Sequence, residues 1–316
     1  MQQAPVTSET HPLKSEPILE DPPCPLCQAK VARSMLQAGE DWIPDGTARR
    51  LRFSIVRCEV CGVRYTSPRF CEASKHLAYT GSYPFYQRAR RVTGPPTEAE
   101  MQAFQRRACQ VDHHCGRPGR LLDLGMGDGA FLALMQRRGW RTVGVDTEPD
   151  VVAYARERLG LEACGVADVE RDPLPQGPFD VVTMWGLLQL TYRPQQLLEK
   201  IRMRLSPDGM IAVGVANICS AGAWLFGSHW RGLGLPRHLV HFDPDSLRSL
   251  VERSGYRMVD LVFETPAWIV APSVDAILPL PGFLGGIARR SACTILSIAG
   301  RTRLGDTMIL LARAAR

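Results

Sequence analysis

The run Asp123-Leu124-Gly125-Met126-Gly127-Asp128-Gly129 concentrates glycine and carboxylate where an apolar strand pattern, Leu121 to Leu124, gives way to a helical one beginning at Ala130. Glycines there let the backbone pass close to a ligand and take positive φ, the context that a nucleotide-binding loop requires. The spacing is G-x-G-x-G, not the G-x-G-x-x-G of dinucleotide folds. Asp123 and Asp128 beside the turn would repel a pyrophosphate but suit a ligand with a cationic amino group and no phosphate, which describes S-adenosylmethionine. Asp146, closing Gly144-Val145-Asp146, ends the next strand and is placed to accept hydrogen bonds from ribose hydroxyls. Asp168, in Ala167-Asp168-Val169, follows the third strand and is offered to the adenine amino group. Taken singly, each acid reads equally well as a cap or an exposed residue. At successive strand ends they form a set.

Four cysteines carry a second chemistry. Cys24-Pro-Leu-Cys27 and Cys58-Glu-Val-Cys61 are two matched C-x2-C pairs separated by 30 residues, with Gly62 after the second. Each pair can form a knuckle aiming two thiolates at one ion, and two knuckles complete a tetrahedral zinc site. Four thiolates leave no position for water, so the zinc is expected to be structural; a reduced, metal-free cluster is the alternative. Leu51 to Arg57 alternates apolar and polar residues, as a ribbon strand does.

A proton acceptor is sought in Trp230 to Phe242, a loop rich in Gly and Pro that carries His238 and His241. Imidazoles that titrate near neutrality can deprotonate a hydroxyl, and these two are the candidate catalytic residues. Hydrogen bonding to the loop backbone is the plainer role for either. His113 and His114 are adjacent, so their side chains diverge and a second metal site there is not favoured.

The elements that must position these groups alternate. From Arg120 onward the chain reads strand, turn, helix, strand: Leu121 to Leu124, Ala130 to Arg138, Thr142 to Val145, Pro149 to Leu159, then Phe179 to Trp185, a helix from Pro194 to Leu205, Met210 to Val215 and a helix from Asp245 to Ser254. That order specifies an α/β fold with a Rossmann-like, doubly wound, mostly parallel sheet, preceded by a small N-terminal zinc-ribbon module. The expected organisation is a disordered leader over 1–20, the ribbon over 21–70, a helical linker or cap over 71–118 with a helix from Glu98 to Val111, and the main domain over 119–316. Residues 266–304, with apolar runs at Ile277 to Leu284 and Ile295 to Ile298, form an apolar insertion before a last strand at Thr307 to Ala312. Packing against the sheet or peripheral contact with a membrane would both suit it.

Composition bounds the partners. The formal charge is +6, and of 38 basic residues only Lys14, Lys30, Lys75 and Lys200 are lysines. The arginines are scattered, so nucleic acid is permitted but not indicated. No apolar run reaches membrane-spanning length and no secretory signal is visible, so reduced thiols and a cytoplasmic location are expected. Nothing in the pattern specifies an oligomeric state.

Residues 120 to 217 resemble the core of class I S-adenosylmethionine-dependent methyltransferases. Leu122-Asp123-Leu124-Gly125-Met126-Gly127-Asp128-Gly129 resembles the first motif, Phe179-Asp180-Val181-Val182 the fourth-strand motif and Leu205-Ser206-Pro207-Asp208-Gly209-Met210 the turn before the fifth strand. The resemblance implies that Asp123, Gly125, Gly127, Gly129, Asp146 and Asp168 hold the cofactor. Cysteine pairs ahead of Cys61-Gly62-Val63-Arg64-Tyr65 are similar to bacterial members with an N-terminal zinc ribbon, many of which act on saccharides, lipids or secondary metabolites. The expected acceptor is therefore a small molecule, with O-methylation favoured over C-methylation; an RNA methyltransferase or a non-catalytic binding module are the alternatives. Relatives often place an acid and a His after the fourth strand, whereas this chain has Trp185-Gly186-Leu187-Leu188-Gln189-Leu190.

Overall fold

The computed structural model describes residues 18–37, 51–79 and 96–315. Its N-terminal part holds the short strands β1 (Leu19–Glu20), β2 (Ala32–Gln37), β3 (Ser54–Cys58), β4 (Arg64–Thr66) and β5 (Arg69–Phe70). β2, β3 and β4 form an antiparallel meander, while β1 pairs with β5. Leu19 and Glu20 thus belong to the folded module and not to the leader, held by the Arg69–Glu20 ion pair at 2.8 Å. The rest of that leader, 1–17, lies outside the described residues, as does 80–95 of the expected linker.

Helix α1 (Glu98–Cys115) opens on a capping box, Thr97 accepting from the Glu100 N–H while Glu100 accepts from the Thr97 N–H. It runs a turn past the expected end at Val111 because Gly116, at φ +75°, supplies the left-handed cap that stops it. Then follow β6 (Arg120–Leu124), α2 (Ala130–Arg137), β7 (Arg141–Asp146), α3 (Pro149–Leu159), β8 (Cys164–Val166), β9 (Phe179–Trp185), α4 (Pro194–Arg202), β10 (Leu205–Ala216) and α5 (Ala221–Phe226). The chain closes with β11 (Val240–His241), α6 (Pro244–Arg253), β12 (Tyr256–Glu264), α7 (Ala267–Ile277), α8 (Gly282–Ala299) and β13 (Thr307–Ala314).

Seven strands form one sheet in the order β12-β13-β10-β9-β6-β7-β8. β6 to β10 run parallel, and β13 is antiparallel to both β10 and β12. Val181, Val182, Thr183 and Met184 of β9 are wholly buried, as a strand covered on both faces must be. β12, absent from the expected strands, carries half-buried residues in a sequence, Tyr-Arg-Met-Val-Asp-Leu-Val-Phe-Glu, whose charges mask its period of two. The 266–304 insertion is a helical hairpin, α7 and α8, between β12 and β13; its first apolar run spans the bend at 278–281.

β11 does not join the large sheet. It pairs antiparallel with β4, so the four-stranded sheet β11-β4-β3-β2 mixes the N-terminal module with a segment of the main domain. The contact is reinforced by the Arg64–Asp243 ion pair at 2.7 Å, Asp243 also capping α6.

A buried carboxylate anchors the end of the hairpin region. Asp306 is fully buried and its Oδ1 accepts from Ser220 Oγ and Trp230 Nε1, both at 2.8 Å. Asp306→Ala would strand two buried donors and is expected to cost about 2–4 kcal/mol, with Asp306→Asn costing less, as measured by urea unfolding.

Candidate active site

β6 lies between β7 and β9, the point where the strand order reverses, and a ligand of such a sheet sits beyond the carboxyl ends there. The turn after β6 needs its glycines: Gly125, Gly127 and Gly129 have φ of +67°, +56° and +79°. They differ in what a side chain would meet. A Cβ on Gly127 would meet nothing within 4 Å, so this residue faces open space, whereas one on Gly129 would lie 2.8 Å from Leu161 Cδ1. Gly129 serves the packing of α2 on α3 and does not line the cleft.

A cleft of about 1620 Å³ lies over this edge, lined at one end by Gly125, Gly127, Asp128, Asp146 and Asp168. Asp146 Oδ2 accepts from the Gly127 N–H at 2.9 Å and Oδ1 from the Glu148 N–H at 3.1 Å, which fixes the carboxylate against the loop. Burial raises its pKa, and those backbone donors oppose the rise. Asp168 also lines the cleft, but its Oδ2 is engaged by Lys75 Nζ and Oδ1 accepts from the Glu170 N–H. Burial pushes Asp168 up, yet Lys75, the Glu170 N–H and Arg171 outweigh it and hold the carboxyl below its ordinary range.

Asp123 is placed differently from its expected role. It does not line the cleft; it is buried beneath the turn, where Thr183 Oγ1 donates to its Oδ1 at 2.6 Å. Burial, aided by the charge of Asp146 and opposed by Thr183 and Arg107, pushes its pKa up to about 7.

The histidines part company as well. His238 lines the cleft, but both ring nitrogens are engaged. The Gly232 carbonyl 3.1 Å from Nδ1 can only accept, so Nδ1 carries the hydrogen and Nε2 is left as an acceptor. Gln189 Nε2 donates to it at 2.9 Å, while Gln189 Oε1 accepts the Ala216 N–H at 2.7 Å. Burial, with His241 and Arg237 nearby, holds His238 well below its ordinary pKa, so it is neutral with its lone pair spent. His241 sits in β11 facing the module, not the cleft. Thr66 Oγ1 donates to the His238 carbonyl at 2.6 Å and so accepts from His241 Nε2 at 3.0 Å. Burial and Arg64 lower His241 to about 3. These geometries make both residues ties of the loop; neither offers a free base.

Three groups absent from the sequence expectation line the cleft. Arg107 of α1, buried, pairs with Glu264 at 3.2 Å and stacks over Trp185, its guanidinium 5.1 Å from the ring centroid. Arg107 Nε and Trp185 Nε1 are buried donors with no hydrogen-bond partner among the described residues. His229 is half-buried and holds a long 3.4 Å contact from Nδ1 to Ser228 Oγ. Nothing local marks Arg107, whose partner is 157 residues away, whereas His229 stands one residue before the Trp230 to Phe242 loop that carries the candidate bases.

In the N-terminal module the Sγ atoms of Cys24, Cys27, Cys58 and Cys61 lie within 4.8 Å of one another, Cys24 to Cys61 at 3.4 Å and Cys27 to Cys58 at 3.5 Å. Each pair closes on a residue at positive φ, Gln28 at +60° and Gly62 at +78°. Their N–H groups donate to the Cys24 and Cys58 carbonyls. Among the described residues His113 and His114 join no such group; His114 Nε2 lies 3.3 Å from Asp260.

A glycine loop at the end of β6, an acid at the end of β7 and the strand order above define the S-adenosylmethionine-dependent methyltransferases. A family model described as a methyltransferase domain matches residues 98–261, and the chain belongs to that family. The malonyl-[acyl-carrier protein] O-methyltransferase of Geobacter sulfurreducens is 29% identical over 207 residues, covering 61% of this chain and 74% of that protein. A ubiquinone biosynthesis O-methyltransferase of Cereibacter sphaeroides is 29% identical over 162 residues, 47% of this chain and 66% of that one. The C-methyltransferase NovU of Streptomyces niveus is 26% identical over 150 residues, 45% and 33%. The solved 1,6-didemethyltoxoflavin-N1-methyltransferase of Burkholderia thailandensis shares the fold, with a TM-score of 0.52 at 18% identity over 84% of this chain and 96% of that one.

The buried acid gives a pH prediction. Between about pH 4 and pH 7 folded Asp123 holds a proton that the unfolded chain has released, so its contribution to stability falls as pH rises through that window and levels off above it. The stability deficit of Asp123→Asn relative to wild type should therefore shrink from about pH 5 to about pH 8 in urea unfolding. Equal deficits at the two pH values would show that Asp123 titrates as an ordinary carboxyl.

Proposed function

We propose that the chain methylates a hydroxyl of a small, largely apolar acceptor. The observation that carries this reading is the composition of the cleft over the glycine loop. The glycine loop and Asp146 bound one end, and Phe104, Phe131, Trp185, Leu233 and Trp268 supply aromatic and aliphatic wall elsewhere in it. The donor set suits S-adenosylmethionine. Gly127 leaves its backbone open to the amino-acid portion, Asp146 receives ribose hydroxyls, and Asp168 with Lys75 meets the adenine side. Asp128 faces the amino group. A pyrophosphate would meet Asp128 and Asp146 instead. When bound, the cofactor supplies a methyl on a sulfonium, already activated toward an in-line nucleophile.

What the chain adds is placement and proton removal. Apolar walls exclude water from the nucleophile, and the Gln189–His238–Gly232 chain of hydrogen bonds holds the 230–242 loop against β10. His229, in the cleft with a nitrogen not locked by a strong partner, is the group that takes the hydroxyl proton. The O-methyltransferases among the relatives support an oxygen acceptor.

We infer also that the four cysteines hold one structural zinc. Zn–S bonds of about 2.3 Å place tetrahedral sulfurs about 3.8 Å apart, close to the spacing of these thiols. The ion would brace the module carrying β4, which in turn holds the loop of His238.

Two experiments test these assignments. Asp146→Ala should weaken S-adenosylmethionine binding by about tenfold or more in calorimetry, from lost charged hydrogen bonds. With wild-type protein, labelled methyl from the cofactor should enter a low-mass fraction of extract. Label in nuclease-sensitive material would overturn the small-molecule acceptor. For the metal, one zinc per chain is expected by elemental analysis, with Cys58→Ser losing it and the cooperative unfolding of the module together. A metal-free wild type that unfolds cooperatively would refute the zinc assignment.

A further inference from the structure

The hairpin that interrupts the sheet has an outer face with no partner in the described structure. α8 buries Ala288, Ala292, Cys293 and Leu296 toward a core containing Phe226 and Trp230. A surface helix should then be polar on its other side. Instead Phe283, Leu284, Ile287, Ile295 and Ile298 are exposed, Phe283 by 82% and Ile298 by 69%. At 3.6 residues per turn these five fall within an arc of roughly 120°. Trp224, 86% exposed, stands on α5, which packs against both α7 and α8. Contiguous exposed apolar surface of this kind marks an interaction site.

Charge selects the occupant. Residues 266–305 contain Arg289, Arg290, Arg301 and Arg303 and one acid, Asp275, which is paired to Arg289 at 2.7 Å. Arg290, Arg301 and Arg303 are exposed, the first on α8 and the other two in the turn that follows it. A second copy docking through the same face would bring these arginines against their own equivalents. An anionic bilayer accepts both features, apolar side chains entering the acyl boundary and arginines reaching lipid phosphates. Among the described residues no helix is long and apolar enough to cross a membrane, so α8 would lie on the surface and not span it.

The same hairpin walls the cleft. Trp268, Ile269, Pro272 and Ala276 of α7 line it, so α7 separates the cleft from the outer face of α8. We propose that α8 docks this enzyme on an anionic lipid bilayer, and that its acceptor is a membrane-resident amphiphile drawn into the cleft along α7. The acceptor half rests on the small-molecule reading above; the docking half stands without it.

The test is flotation of the full chain with vesicles of phosphatidylcholine alone or with one third phosphatidylglycerol. Phe283→Glu/Ile295→Glu and Arg290→Ala/Arg301→Ala alter only exposed positions, and calorimetry with S-adenosylmethionine checks that each variant keeps its cofactor affinity. Wild type is expected to float with anionic vesicles, less so at high salt. The glutamate variant should lose about tenfold or more of that binding, and the arginine variant should lose its preference for anionic lipid. A wild type that stays with the pellet, or a glutamate variant that floats equally well, overturns the docking. So does sedimentation showing a wild-type dimer that the glutamate variant breaks without vesicle binding. Flotation without any cofactor binding would instead leave the docking in place and remove the methyltransferase reading.

Discussion

Parallel pairing of β6 with β7 and β9 is the constraint on which the rest depends. Parallel strands end at one edge, and the connections that leave β6 and β9 depart to opposite sides of it. The turn between β6 and α2 therefore has no strand above it and must reverse direction at once. Three positive-φ glycines accomplish that, and the Asp146 carboxylate at the end of the neighbouring strand holds the turn down through the Gly127 N–H. Loop and acid are thus one mechanical unit, and the ligand-facing surface is a by-product of closing it. Asp123 belongs to the underside of that unit, satisfied by Thr183 of β9 and out of reach of the cleft.

A second constraint joins the two ends of the molecule. Thr66, wholly buried, uses its one hydroxyl on two groups of the 230–242 loop, donating to the His238 carbonyl and accepting from His241. The loop is clamped on its other side by Gln189, from the segment after β9 where relatives often carry an acid and a His. Gln189 thereby ties β10 to the loop through a neutral imidazole. The departure from the family pattern acquires a mechanical explanation: this position ties β10 to the loop that walls the cleft.

Legibility in the sequence followed the range of the forces involved. Phe179 to Trp185 and Pro149 to Leu159 were readable because burial on both faces, or proline at the first helical turn, writes itself into consecutive residues. Asp146 was readable because a strand end fixes its neighbours. Asp123, Gly129 and His241 were seen as site residues, yet packing turned each away from the cleft. Which face a residue presents depends on Leu161, Thr183 and Thr66, all distant in the chain from the residue each one decides. Arg107 was invisible for the same cause: its meaning resides in Glu264 and Trp185. β12 was hidden by its charges, since a half-buried strand beside β13 tolerates Arg257 and Asp260.

The pairing of β4 with β11 also bears on how the chain is made. β4 leaves the ribosome long before its partner, because Thr66 and His241 are 175 residues apart. At about 5–20 residues per second, the meander stands with a bare edge for roughly 10–35 seconds. An unpaired edge is an invitation to foreign strands. This one is three residues long and carries Arg64 on it, a short charged edge of the kind that resists such pairing, and once Asp243 emerges the same arginine becomes an ion pair. The residue that protects the nascent half-sheet is the one that later seals it.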